Sequence, residues 1–171
     1  HIQIKELFWN CHYKRTSILN QVPVNNKIKT YSLSAKKREI CLQRISGFLE
    51  EDLSILFAYA YGSFLESSRF RDLDIAVFLM PGTVPLRPYV FEIELETAII
   101  QHLEFPFPVD VKIMNSAGIP LQYHALSGRL LMDRNPDMRL AIMTKIASLY
   151  LDIAPILTYH TKEAFSRDAQ P

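Results

Sequence analysis

Tyr61-Gly62-Ser63-Phe64-Leu65-Glu66-Ser67-Ser68-Arg69-Phe70-Arg71-Asp72-Leu73-Asp74-Ile75-Ala76-Val77-Phe78 decides how this chain reads. An apolar run, Ile55 to Ala60, leads into Gly62-Ser63, and a second, Ile75 to Met80, leaves from Asp74. The pattern is strand, tight polar crossover, strand. Side chains alternate along a strand, so Asp72 and Asp74 share a face, roughly 6.5–7 Å apart at Cα. Two carboxylates so placed repel unless a cation lies between them, and their hard oxygens suit Mg2+. Gly62 has no Cβ, so its backbone can approach a ligand closely. Ser63 then opens a short helix, whose first N–H groups suit phosphate oxygens. Phosphate turn and acidic strand together are equipment for phosphoryl or nucleotidyl transfer. The plainer alternative is an ordinary turn with surface aspartates. Against it, the two acids flank an apolar strand and depress its β propensity, a cost without a function.

Working outward, Phe107-Pro108-Val109-Asp110-Val111-Lys112-Ile113 reads as another strand, with Val109, Val111 and Ile113 on one face and Asp110 and Lys112 on the other. A helix precedes it, from about Pro88 to Leu103, and helix between strands suggests a crossover that brings Asp110 beside the first pair. Lys112 balances charge there, touches a phosphate, or snorkels at the edge. Glu92, Glu94 and Glu96 cannot all share one helical face and read as solvated.

The Gly-Ser, short spacer, Asp-x-Asp series followed by Asp110 resembles the DNA polymerase β-like nucleotidyltransferase superfamily, and within it the minimal nucleotidyltransferase branch. The likeness runs from about Lys36 to Phe165. Phe64 to Arg71 makes a shorter spacer than members commonly have, and it lacks their glycine. The resemblance implies an α/β (α+β) fold: a small mixed sheet flanked by helices, with a long C-terminal helix. It implies an Mg2+-dependent transfer of AMP from ATP to a hydroxyl. Asp72, Asp74 and Asp110 would be catalytic and would hold two Mg2+ ions, and Gly62 and Ser63 would hold the triphosphate. It further implies an antitoxin whose acceptor is a tyrosine of a HEPN-domain ribonuclease. The chain itself shows no Arg-x4–6-His pattern of that ribonuclease. Two alternatives stand beside it: an inactive antitoxin that neutralises its partner by docking, and a small-molecule adenylyltransferase. The latter has little room for a substrate domain in 171 residues.

Composition sets further bounds. The length suits one domain plus an extension. Net charge is +1 but uneven. Residues 1–50 hold nine Lys/Arg against three acids, residues 51–110 three against ten, and residues 111–171 seven against five. The acidic middle contains all three proposed metal ligands, as a cation site favours. Cys11 and Cys41 form no metal or disulfide spacing and read as reduced thiols of a cytoplasmic protein. The five histidines lack zinc spacing. Apolar runs break short of about 18 residues, so no membrane span is expected. The basic N-terminus has few interleaved aromatics, which argues against nucleic acid as a partner.

Two domains' worth of boundary follow. Residues 1–33 show no sustained periodicity and read as a weakly structured extension, and residues 34–171 as the transferase domain. Ser34 caps a helix to about Glu51. Asn115 to Gly118 cap a helix from Ile119 that Gly128 closes. Leu130 to Met132 form a short strand. Asn135 caps a final helix to about Ala164, which Pro155 should kink or end.

Overall fold

The two apolar runs on either side of Gly62 become the middle of a sheet. The computed structural model describes residues 29–103 and 105–167, so the extension read over 1–33 lies outside the described residues as far as residue 28. Strand β1 is Ile55–Tyr61, and β2 is Leu73–Leu79. They pair antiparallel, with Tyr61 opposite Asp74. Strand β3, Val109–Ile113, lies parallel to β2, and β4, Arg129–Asp133, lies antiparallel to β1. The order β3-β2-β1-β4 makes a mixed sheet, as expected. Every residue of β1 is buried, because both faces are covered; a central strand of this kind reads as a continuous apolar run. In β3 only alternate residues are buried.

Five helices surround the sheet among the described residues: α1 (Ala35–Glu50), α2 (Ser63–Glu66), α3 (Pro88–Leu103), α4 (Ile119–Leu126) and α5 (Pro136–Arg167). One face of the sheet packs Ala58, Ala60, Ile75, Val77 and Val111 against Leu42, Ile45 and Leu49 of α1 and Leu95 and Ile99 of α3. The other packs Phe57, Tyr59, Tyr61, Ala76 and Phe78 against Ala125 of α4 and Ile146 of α5. Strand alternation places Asp74 with Ala76 and Phe78, and Asp110 opposite in sense to Val109 and Val111. Both carboxylates therefore belong to the α4/α5 face.

The helix starts follow the sequence signals. Ser34 Oγ accepts the Lys37 N–H at 3.4 Å, and Asn135 Oδ1 accepts the Met138 N–H at 3.0 Å. Arg134 fastens the sheet to the turn after α1, donating to the carbonyls of Ile55 (3.0 Å), Glu50 (2.9 Å) and Asp52 (3.3 Å). Residues just before α1 are tied in as well. Tyr31 and Phe70 exchange backbone hydrogen bonds at 2.7 and 3.0 Å.

One expectation is narrowed and one changes. Helix α5 runs to Arg167, about as far as expected, and of the two effects expected of Pro155 it does not end the helix. One proline removes a single N–H from a ladder of 32 residues, and the helix on both sides sustains itself. Gly128 is not a left-handed helix terminator, since positive φ among the described glycines is confined to Gly62 and Gly82. It is needed for closeness. A Cβ there would sit 2.1 Å from the Ala60 carbonyl oxygen and 2.9 Å from Tyr61 Cβ. The end of α4 presses on β1 just before the Gly62 turn.

Helix α5 also carries more apolar surface than the sheet covers. Leu140, Leu151 and Ile156 are 62, 67 and 58% exposed. The segment Pro136–Leu157 is long and apolar enough, by length and composition, to cross a membrane, a finding the reading of short apolar runs did not anticipate. Its inner side is nonetheless packed: Ile146 is buried, and Met138, Ile142 and Met143 lie against the same cluster.

Gly128→Ala should lower the unfolding free energy by about 1–3 kcal/mol, because the Ala60 carbonyl oxygen it meets is backbone within the sheet and cannot move aside. Urea denaturation of the two proteins measures it.

Candidate active site

Register is what builds the site. Asp74 is the Cα partner of Tyr61 on β1 and of Asp110 on β3. The middle strand thus holds one carboxylate between the start of the Gly62 turn and the second acid. Asp72 precedes β2 by one residue and shares the side of Asp74. Gly62 follows Tyr61 with φ +73°, a conformation L side chains rarely adopt. A Cβ at Gly62 would come within 2.5 Å of Asp74 Oδ2. The backbone conformation is what requires glycine here, and any Cβ would also push the Asp74 carboxylate aside.

The turn itself is held from behind. Ser63 begins α2, a single turn in which the Leu65 and Glu66 N–H groups donate to the Gly62 carbonyl at 3.0 and 3.3 Å. Arg38 of α1 donates to the carbonyls of Phe64, Leu33 (3.2 Å) and Ser68 (3.0 Å). Its guanidinium lies over the rings of Phe64 and Phe70, 5.3 and 5.2 Å from their centroids. Phe64, Phe70 and Phe107 pack edge to face beneath it, 4.8 and 5.1 Å apart. The short spacer is therefore a strapped crossover, and Ser63 is fixed at its mouth.

Electrostatics mark the same spot. Burial, with the charges of Asp72 and Asp110, pushes the Asp74 carboxyl up to about 6, while Arg71 and His124 pull it back. The Tyr61 phenol is pushed up to about 12, first by burial and then by Asp74, Asp110, Asp72 and Glu92. Lys112 Nζ bonds Asp110 Oδ1 at 3.0 Å and lies 3.9 Å from Glu92 Oε2. Burial lowers the Lys112 ammonium, but Asp110 outweighs it and the net direction is upward. Of the three roles open to Lys112, it takes that of charge balance.

The sequence expected Asp72, Asp74, Asp110, Gly62 and Ser63 to meet. Asp74, Asp110 and Gly62 are in direct register or contact, and Asp72 and Ser63 flank them. Among the described residues, no three His, Cys, Asp or Glu side chains are drawn into a ligating cluster. Like charges hold apart, and Lys112 occupies Asp110. The donor set still fits a hard divalent ion: half-exposed carboxylates, one raised by its neighbours, beside a cradle that a Cβ would fill.

A profile described as "Polymerase beta, Nucleotidyltransferase" matches residues 43–137, more than half the chain. The chain belongs to the polymerase β nucleotidyltransferase family. No curated protein matches it. Solved structures share the family fold at low identity. The tri-AMPylated Shewanella oneidensis HEPN toxin in complex with MNT antitoxin contains a chain 19% identical, with TM-score 0.57, covering 75% of this chain and 98% of that one. The MntA–HepT toxin–antitoxin gives 19%, 0.56, 74% and 98%. A toxin–antitoxin with AMP-PNP gives 20%, 0.54, 77% and 99%. In this nucleotidyltransferase fold the matched region includes both strands, the turn and β3.

Four residues escaped the sequence reading. Tyr61 and His124, whose rings meet edge to face at 5.7 Å, border the acids, and neither carries a motif. Glu92 and Glu96 were read as solvated. Instead, Glu92 accepts the Ile113 N–H at 2.8 Å and Glu96 the Val111 N–H at 3.0 Å. Burial raises the Glu96 carboxyl, against the lowering effect of the Val111 N–H.

Because the folded carboxyl of Asp74 titrates near 6 against an ordinary 3.8, it is easier to protonate folded than unfolded. Its charge opposes folding at neutral pH, and that cost is relieved as pH falls through about 6 toward 4. In EDTA, Asp74→Asn should raise the unfolding free energy near pH 8 by about 1 kcal/mol, discounted for half exposure. The gain should vanish near pH 4, as chemical denaturation at both pH values would report.

Proposed function

We propose that this chain is an Mg2+-dependent nucleotidyltransferase that moves AMP from ATP to a tyrosine hydroxyl of a HEPN-domain partner, as an antitoxin. The observation that carries the transfer is the Asp74–Asp110 register beside Gly62. Family membership supports the chemistry. The partner and the nucleotide are supported by the neighbours, one a complex with a tri-AMPylated HEPN toxin and one with AMP-PNP.

Asp72, Asp74 and Asp110 would hold the metal. Bound there, Mg2+ supplies neutralisation of the triphosphate and polarisation at phosphorus. Gly62 lets the backbone lie against the β- and γ-phosphates, and Ser63 offers its N–H and hydroxyl to them. The strap through Arg38 keeps that turn in place, so binding orders little. Asp110 accepts the proton of the attacking hydroxyl at a carboxylate oxygen. The new O–P bond forms at the α-phosphorus as the bond to the β-phosphate oxygen breaks, and pyrophosphate leaves.

A second reading is favoured by the exposed apolar residues of α5. Leu140, Leu151 and Ile156 present a surface that a helical partner would cover, and docking alone would then neutralise it. Incubation with labelled ATP, Mg2+ and the co-purifying partner separates the two. Label on a partner tyrosine supports transfer, and a tight unlabelled complex supports docking. Asp72→Asn and Asp74→Asn should each cut labelling by about a hundredfold or more with the circular dichroism spectrum unchanged. Full labelling by either variant overturns the assignment.

A further inference from the structure

β3 is an edge strand, so the Val111 and Ile113 N–H groups point away from β2. Such an edge is usually left to water or to another strand. Here α3 closes it with Glu92 and Glu96. The fit is one of spacing. Four residues of helix rise about 6.0 Å, and two residues of strand about 6.8 Å. Carboxylates at i and i+4 share one helix face and so meet alternate N–H groups of the strand. The helix runs against the strand, which is why the earlier glutamate takes the later amide. Glu94 lies off this row.

The two clamped amides bracket Lys112, and the first directly follows Asp110. The Glu92 side chain is only 17% exposed, and its other oxygen faces Lys112 at 3.9 Å. Lys112 in turn reaches Asp110 at 3.0 Å. Asp110 is thus held by Lys112 of its own strand, with Glu92 behind that lysine and Glu96 beside the carboxylate itself. Two such bonds of ordinary length, on alternate amides of one strand, hold β3 against the helix.

We infer that Glu92 and Glu96 are positioning residues that lock β3 in register, so that Asp110 stays opposite Asp74 and the site binds a divalent cation tightly. This rests on the reading of Asp110 as a metal ligand. Mn2+ binding to the full chain without nucleotide, followed by the electron paramagnetic resonance of free Mn2+, tests it together with amide hydrogen exchange. E92A/E96A should speed exchange at residues 111 and 113 and weaken Mn2+ binding about tenfold. E92Q/E96Q keeps an acceptor oxygen at each position and should restore affinity to within about threefold of the parent. If the double alanine variant does not fold, E96A is read the same way. Fast exchange with parental Mn2+ affinity overturns the inference, because the clamp would then be structural only. A glutamine variant as weak as the alanine one also overturns it, because charge rather than the bond would matter. D110N is the control. Should it bind Mn2+ as the parent does, the ligand assignment of Asp110 fails and the inference falls with it. Should it lose binding while E92A/E96A keeps it, the inference alone fails.

Discussion

The site depends on a like-charge pairing that strand register enforces. Asp74 stands in the middle of a hydrogen-bonded sheet, opposite Asp110 on one side and next to the Gly62 turn on the other. Left to themselves two carboxylates separate, and burial makes their meeting costlier, which is why Asp74 is pushed up to about 6. The backbone ladder of β2 and β3 and the packed face behind it hold the pair together regardless.

Much of the remaining structure can be understood as bracing for that pairing. On one side Arg38 and the Phe64, Phe70 and Phe107 rings tighten the crossover that leads from Gly62 to Asp72. On the other, Glu92 and Glu96 hold the outer edge of β3. Lys112 lies between and neutralises Asp110. Behind β1, Gly128 allows the end of α4 to press on Ala60 and Tyr61. Helix α5 completes this face through Ile146, while its outer side remains apolar and exposed. The candidate site and the exposed apolar residues of α5 thus belong to the same side of the sheet.

Local signals made most of the fold legible. Two apolar runs of strand length, an N-capping serine at 34 and asparagine at 135, and a helix between strands gave the elements within a few residues. Asp72 and Asp74 stood out because charge beside an apolar strand is costly, and Asp110 because the resemblance asks for a third acid on a later strand. Other features had no local signature. Asn115 looks like part of a helix cap, yet its side chain bonds both the N–H and the carbonyl of Leu79, at 2.8 and 2.9 Å, extending the sheet. Gly128 looks like a helix stop and is a contact point. Tyr61 and His124 are single residues whose importance lies in what they stand beside.

The sequence by itself determined the chemical inventory: which residues carry charge, where the chain lacks a Cβ, and which segments must be strands because their apolar period demands burial. Only the tertiary structure decided how those groups address one another. Glu92 and Glu96 show the difference. In the chain they are acids on a helix with no apolar stripe to explain them. Their role exists only because a parallel crossover sets that helix antiparallel to an edge strand, where two open amides wait at nearly the same spacing. Periodicity is written along one segment, whereas register and edge position belong to pairs of segments, and those are fixed only when the core closes.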